Sequence, residues 1–352
     1  MLCYVDDSVP GITRRRRGRY WMYFDADGNR ITDREEIERL TAIGMPPAYE
    51  RCWFCPDPNG HIQAIGYDAK GRRQYRYHLA FREQQDSRKY ERLAEFGRAL
   101  PRLRSKVEED LKGRPTARET VLAAVVRLID ETRMRIGNEE YAKENKSFGA
   151  TTLRNRHADV RGSRLKITYA GKHGIKRTVT VDDRRLARIA KRTQDLPGQH
   201  LFEFVTDAGD VCPVTSNDVN CYIKEAMGDE FTAKDFRTWG ASVIAFCEMA
   251  KRIEKSGRVK LKSVMEPVAE ALGNTPAISR KSYVHPALIE AAKDAGAIGA
   301  RKLPRSTRHL DRYERALIEF LDALPKEKAR LARNPRARAK SEAKLERPAA
   351  AA

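Results

Sequence analysis

The stretch Lys234-Asp235-Phe236-Arg237-Thr238-Trp239-Gly240 decides the reading of this chain. Thr232 precedes it, and Thr232 with Asp235 three residues on is a helix-opening pair: the hydroxyl caps and the carboxylate stands at the third position. Arg237 is thereby placed in the first turns of a helix. Downstream, the helical run 264–272 stops at Gly273, the residue type that most easily ends a helix left-handed. Asn274 follows. Thr275 caps the next helix, and Pro276 takes its first position, where a missing N–H costs nothing. Tyr283 lies near the far end of that helix.

Upstream the pattern changes. Leu165, Ile167 and Tyr169 alternate with polar residues, as do Val179 and Val181, so residues 151–181 read as a small sheet. Gly171-Lys172-His173-Gly174 joins its strands and puts Lys172 at a hairpin tip. Thr116 and Glu119 form a capping-box pattern ahead of the apolar run 121–129. That helix is predicted to reach Gly137-Asn138, with Arg135 in its last turn. Before it, Tyr90, Leu93, Phe96, Leu100, Leu103, Val107 and Leu111 mark one apolar face, which Pro101 is predicted to kink or split.

Residues 1–82 read as a small, mostly β domain. It has a strand at Tyr20-Trp21-Met22-Tyr23-Phe24, a turn over residues 25–29, and a hairpin of residues 61–67 and 73–78 about Asp68-Ala69-Lys70-Gly71. The polar run 82–87 reads as a linker to a second domain, 83–324. Residues 325–352 carry nine basic and three acidic residues and almost no large apolar ones, which reads as a disordered basic tail.

Composition narrows the function. A chain of 352 residues, 41% hydrophobic, can bury two cores, and a net charge of +20 favours a polyanion partner, DNA or RNA first. No apolar run approaches a membrane span, no signal-peptide stretch opens the chain, and six cysteines suggest no disulfide framework. A reducing compartment is expected: the cytoplasm, at the nucleoid. Cys52 and Cys55 make one C-x-x-C, read as small apolar residues beside Trp53 and Phe54. A zinc site would need two more ligands, with only His61 and His78 near. Gly171-Lys172 lacks the upstream glycine of a P-loop, and no acidic cluster suits a two-metal nuclease. No nucleotide, metal or other cofactor is therefore expected.

With 13 tyrosines and 69 Lys and Arg, no one of these residues identifies itself. Their contexts and order do. Arg135 at a helix end, Lys172 in a hairpin turn, Arg237 in Asp235-Phe236-Arg237-Thr238 and Tyr283 nine residues after Asn274 together resemble the type IB DNA topoisomerases. The likeness is to the short poxvirus-like class also found in bacteria. It extends to Tyr141-Ala142-Lys143-Glu144-Asn145, to Thr152-Leu153-Arg154-Asn155-Arg156-His157, and to the hairpin Gly66-Tyr67-Asp68-Ala69-Lys70-Gly71-Arg72-Arg73-Gln74-Tyr75. Asn274 falls where viral members have His and bacterial members Asn.

The resemblance implies an α+β architecture: a small N-terminal β-rich domain and a larger, mainly helical catalytic domain with a small sheet, closing as a C-shaped clamp on double-stranded DNA. It implies a monomer that relaxes supercoils by nicking one strand, holding the 3′-phosphate on Tyr283 and resealing. The residue types suit that chemistry. Tyr283 can attack phosphorus, Arg135 and Arg237 can grip non-bridging oxygens, Lys172 can protonate the leaving 5′-oxygen, and Asn274 can donate a neutral hydrogen bond. Lys70, Arg72 and Arg73 can reach phosphates, and Gln74, Tyr75 and Tyr77 base edges or sugars. Two alternatives stand beside this. A tyrosine recombinase or integrase shares the chemistry but typically has His where Lys234 stands. A non-catalytic basic DNA- or RNA-binding protein would bind without forming an adduct.

Overall fold

The computed structural model describes residues 2–228, 231–293, 298 and 302–324. The expected basic tail, 325–352, lies outside the described residues. The architecture is α+β, in two compact units divided between Glu91 and Arg92.

The first unit is built on strands β1 (Ile12–Arg17) and β2 (Tyr20–Phe24), helix α1 (Arg34–Ala42), strands β3 (Glu50–Phe54), β4 (Ile62–Tyr67) and β5 (Arg73–Tyr77), and helix α2 (Leu79–Glu91). The strands form one sheet in the order β2-β1-β3-β4-β5 with every pair antiparallel. Both expected turns are closed by aspartates. The Asp25 carboxylate accepts from the N–H of Asp27 and Asn29, and that of Asp68 from Lys70 and Arg72. Ile12, Tyr23, Leu40, Met45, Cys52, Phe54 and Ala64 form the core. Cys52 belongs to that core and Cys55 is buried with its thiol reduced. His61 and His78 each accept a backbone N–H through Nδ1, from Val5 and Ala80. The polar run 82–87 is not a linker: it lies inside α2, and the division between units comes nine residues later than the sequence suggests.

The second unit opens with α3 (Leu93–Asp110) and α4 (Arg118–Thr132), followed by α5 (Glu139–Asn145). Strands β6 (Ala158–Arg161), β7 (Arg164–Ala170) and β8 (Lys176–Asp182) make an antiparallel sheet in that order, and α6 (Arg184–Gln194) follows. A short hairpin, β9 (Glu203–Val205) and β10 (Val211–Pro213), leads to α7 (Ser216–Met227), α8 (Asp235–Ser256), α9 (Leu261–Leu272), α10 (Pro276–Ser282), α11 (Pro286–Ala291) and α12 (Arg312–Asp322). No helix among the described residues is long and apolar enough to cross a membrane.

Helix α4 is the axis of this unit. Val121, Leu122, Val125, Val126, Leu128 and Ile129 are all buried, and between Thr120 and Ile129 only Arg127 is not, so the middle of the helix is apolar nearly all round. A helix hydrophobic all round must be surrounded, and α3, α6, α7, α8 and β8 surround it. Burying each such side chain is worth about 1.5–3 kcal/mol.

Four sequence expectations change here. Thr116 does not cap α4: Ala117 is its N-cap and offers no side-chain bond, while the Thr116 carbonyl accepts from Val205. The helix ends at Thr132, not near Gly137, because Arg133 turns left-handed at φ 54°. Pro101 does not split its segment; α3 runs through it unbroken. Within 151–181 the strands begin only at Ala158, after two short 3₁₀ turns.

Candidate active site

Four chain segments carry the candidate residues, and each is positioned locally. Beyond Arg133 the backbone has no regular structure until Asn138 caps α5. The Arg135 and Ile136 carbonyls accept from the N–H groups of Ala150 and Thr151, at 2.8 and 2.7 Å. These bonds, to residues 15 positions away, pull Arg135 out of α4 and onto a rim. Lys172 begins a single 3₁₀ turn at the tip of the β7–β8 hairpin, closed by Gly171 N–H donating to Ile175 O at 2.8 Å, and it is exposed. Helix α9 stops at Gly273 in the left-handed region (φ 59°), and Asn274 follows at once. The Thr275 hydroxyl caps α10 by accepting from Ile278 N–H at 3.2 Å, with Pro276 in its first turn as the sequence requires. Tyr283 is that helix's C-cap.

Arg237 is the anchor. It is only 4% exposed. One terminal nitrogen donates to the carbonyl of Arg133 and the other to that of Leu272, at 2.9 Å. These carbonyls stand at the C-terminal ends of α4 and α9, where a helix leaves acceptors unpaired and presents negative potential. Thr232 and Asp235 meet, but not as the expected cap: the Thr232 N–H and hydroxyl donate to the Asp235 carboxylate at 2.8 and 3.0 Å, one turn before the regular helix, whose N-cap is Lys234 with no side-chain bond. Burial first, then the like charge of Arg135, pushes Arg237 down to about 10, which leaves it cationic at neutral pH.

The five residues converge. Arg135, Lys172, Arg237 and Tyr283 line one cleft of about 390 Å³. The guanidinium carbon of Arg237 is 5.0 Å from the centre of the Tyr283 ring. Burial raises the Tyr283 hydroxyl, but the charges of Arg237 and Arg135 outweigh it and hold the group below its ordinary value. The Asn274 amide stands between the guanidiniums. With its nitrogen donating to Gly273 O at 3.2 Å, its oxygen accepts from Arg237 at 3.3 Å. The opposite orientation gives its oxygen to Arg135, also at 3.3 Å. Lys234 adds a fourth cation to the cleft, and no carboxylate is among the lining residues. Such a wall suits an anion with several oxygens. Lys234 was not singled out as a site residue, although it stands three positions before Arg237 and so shares its helix face.

The hairpin residues lie in the first unit and are held in place by their own partners. Arg72 donates to Asp68 at 2.8 Å, and its bonds hold that carboxyl at about 2. Gln74 donates to the same carboxylate at 3.1 Å, and Arg73 pairs with Asp7. Lys70 sits in the turn between them. Tyr75 and Tyr77 stack with ring centres 5.8 Å apart and are 38% and 37% exposed, with the Arg73 guanidinium 5.1 Å over Tyr75. Among the described residues no group of three or more His, Cys, Asp or Glu could hold a metal ion.

Comparison with known proteins places this geometry. Residues 78–307 match the family of the eukaryotic DNA topoisomerase I catalytic core, and residues 20–68 match the bacterial DNA topoisomerase IB N-terminal domain. The chain is 33% identical over 287 residues to DNA topoisomerase 1B of Acanthamoeba polyphaga mimivirus, covering 78% of this chain and 85% of that protein. It is 25% identical over 254 residues to DNA topoisomerase 1B of Vaccinia virus (strain Copenhagen), covering 70% and 76%. The crystal structure of XerH site-specific recombinase bound to palindromic difH substrate is 18% identical over 55% of this chain and 50% of that one. Its TM-score of 0.35 is too low to favour the recombinase alternative. Two family matches that together span most of the sequence, and a viral relative aligned over most of both chains, assign the protein: it belongs to the type IB DNA topoisomerases.

Proposed function

We propose that Tyr283 carries out the strand cleavage by which this topoisomerase relaxes supercoiled duplex DNA. The observation that supports this most is its setting: a phenol with lowered pKa in a cleft that carries four cations and no carboxylate among its lining residues. In this reading the Tyr283 oxygen attacks phosphorus and its proton passes to water. Arg135 and Arg237 take up charge growing on the non-bridging oxygens, and Asn274 donates a neutral hydrogen bond there. The bond from phosphorus to the 5′-oxygen breaks, its electron pair stays on oxygen, and Lys172 supplies the proton. The strand is held as a 3′-phosphotyrosine until the 5′-hydroxyl attacks in reverse. The bond energy is retained throughout, so the cycle consumes no nucleotide. All five groups come from one chain, which supports action as a monomer, and in this reading the enzyme works on bacterial DNA at the nucleoid in the cytoplasm. Lys70, Arg72, Arg73, Gln74, Tyr75 and Tyr77 form a second DNA contact, supported by the stacked tyrosines and the cation above them.

The test is relaxation of supercoiled plasmid in EDTA without nucleotide, with the covalent complex trapped by denaturant. Tyr283→Phe removes one hydroxyl and is expected to leave folding and DNA binding intact while relaxation and adduct vanish. Adduct at the wild-type level in that variant would assign the attack to another residue.

A further inference from the structure

Arg177 lies on β8, five residues past Lys172, and nothing above gives it a task. Its guanidinium leaves the hairpin and donates to the carbonyls of Glu270 and Ala271, at 3.3 and 3.0 Å, in the last turn of α9. A Cβ on Gly273 would stand 1.6 Å from its terminal nitrogen, so Gly273 leaves the space the side chain occupies. Its stem is 3.5 Å from where a Cβ on Gly171 would be, the residue before Lys172. Hairpin and helix end close on a gap of about 10 Å³, room for one water at most. We propose that Arg177 is a positioning residue: it latches the hairpin bearing Lys172 to the helix end that precedes Asn274, and so sets where the Lys172 ammonium reaches.

The latch acts on the hairpin rather than on Asn274, because the helix end has other holds. Gly273 N–H donates to Glu270 O, Asn274 N–H to Ala269 O, and Arg237 to Leu272 O. The hairpin tip projects beyond its last cross-strand pair, Ala170 with Lys176, and Ile175 beside it is 56% exposed. Loss of Arg177 therefore leaves α9 in place and lets the tip swing. Both bonds leave one terminal nitrogen, which lies farther along the side chain than a lysine ammonium reaches, so a lysine there falls short of the two carbonyls.

The inference rests on Lys172 as the acid, and the test separates the two. Single-turnover cleavage is measured on a DNA with the ordinary 5′-oxygen at the scissile phosphate and on one with sulfur there, which leaves without a proton. Arg177→Ala and Arg177→Lys are expected to cleave the oxygen substrate on the order of 10- to 100-fold more slowly, as a misplaced catalytic group does. Both are expected to cleave the sulfur substrate at close to the wild-type rate. Gly273→Ala, which puts a methyl where the guanidinium lies, should show the same pattern. Lys172→Ala is the control. If sulfur rescues Lys172→Ala but not the Arg177 variants, the latch is wrong and the acid stands. If sulfur rescues neither, the acid assignment fails and the latch with it. Wild-type cleavage of oxygen by Arg177→Ala would also overturn the latch.

Discussion

Tyr283 is subject to opposed influences: burial raises its hydroxyl, and Arg237 and Arg135 lower it further than burial raises it. Removing a cation should make the phenol harder to ionise. In Arg135→Ala the rising limb of cleavage rate against pH is expected to move to higher pH. The sulfur substrate is the right probe, since protonation of the leaving group then drops out. A limb that stays where the wild type has it would disconnect Arg135 from the nucleophile. Gly240 offers a second residue-scale case. A Cβ there would lie 2.7 Å from Cγ and Nε of Arg133, whose carbonyl holds Arg237. Gly240→Ala is expected to destabilise by about 1–3 kcal/mol through overpacking. It should also slow cleavage on the order of 10-fold or more as Arg237 shifts. Thermal unfolding and single-turnover cleavage measure the two effects, and a wild-type cleavage rate would break the link from Gly240 to Arg237.

At the scale of elements, legibility followed distance along the chain. The stop at Gly273, the cap at Thr275 and Pro276 in the first turn were readable because all three signals fall within four residues. The end of α4 was not. Arg133-Met134-Arg135-Ile136 has no helix breaker, and the helix stops because this irregular segment bonds to residues 150 and 151 and receives Arg237 from α8. The five candidate residues were legible from the order of their contexts, whereas Arg177 is one of 69 basic residues and only carbonyls 93 and 94 positions away single it out. The 3₁₀ turn ending at His157 gives a pH test. Burial first, then Arg156 and Arg154, pushes His157 down to about 4, while its Nδ1 accepts from Arg154 N–H at 3.0 Å. The folded state thus favours neutral imidazole. Stability is fully present above the unfolded value near 6.5 and is lost as pH falls from there to about 4. His157→Gln should flatten melting temperature against pH across that window; an unchanged slope would assign the acid sensitivity elsewhere. Phe148, which packs edge-on to His157 at 4.5 Å, lines the cleft, so loosening there should also reach activity.

For the whole molecule, a net charge of +20 bears on DNA through counterion release. Each phosphate neutralised lowers log affinity by about 0.9 per unit of log salt, so on the order of six contacts give a slope near 5. Binding titrations between low and high salt measure it, and an affinity indifferent to salt would contradict a backbone-directed contact. Composition made that partner legible, but it could not divide the chain: the boundary at Glu91 lies within polar, helix-compatible sequence, and only packing into two separate cores marks it. The anchors of the cleft are of one kind. Arg237 and Arg177 are anchored on backbone carbonyl oxygens, those of Arg133, Leu272, Glu270 and Ala271. A carbonyl is the same acceptor whichever amino acid carries it. Mutation can therefore drift at exposed Glu270 without altering what Arg177 grips, while buried Leu272 is fixed by the core, and the arginines themselves, with the glycine that makes room for one of them, have no such latitude.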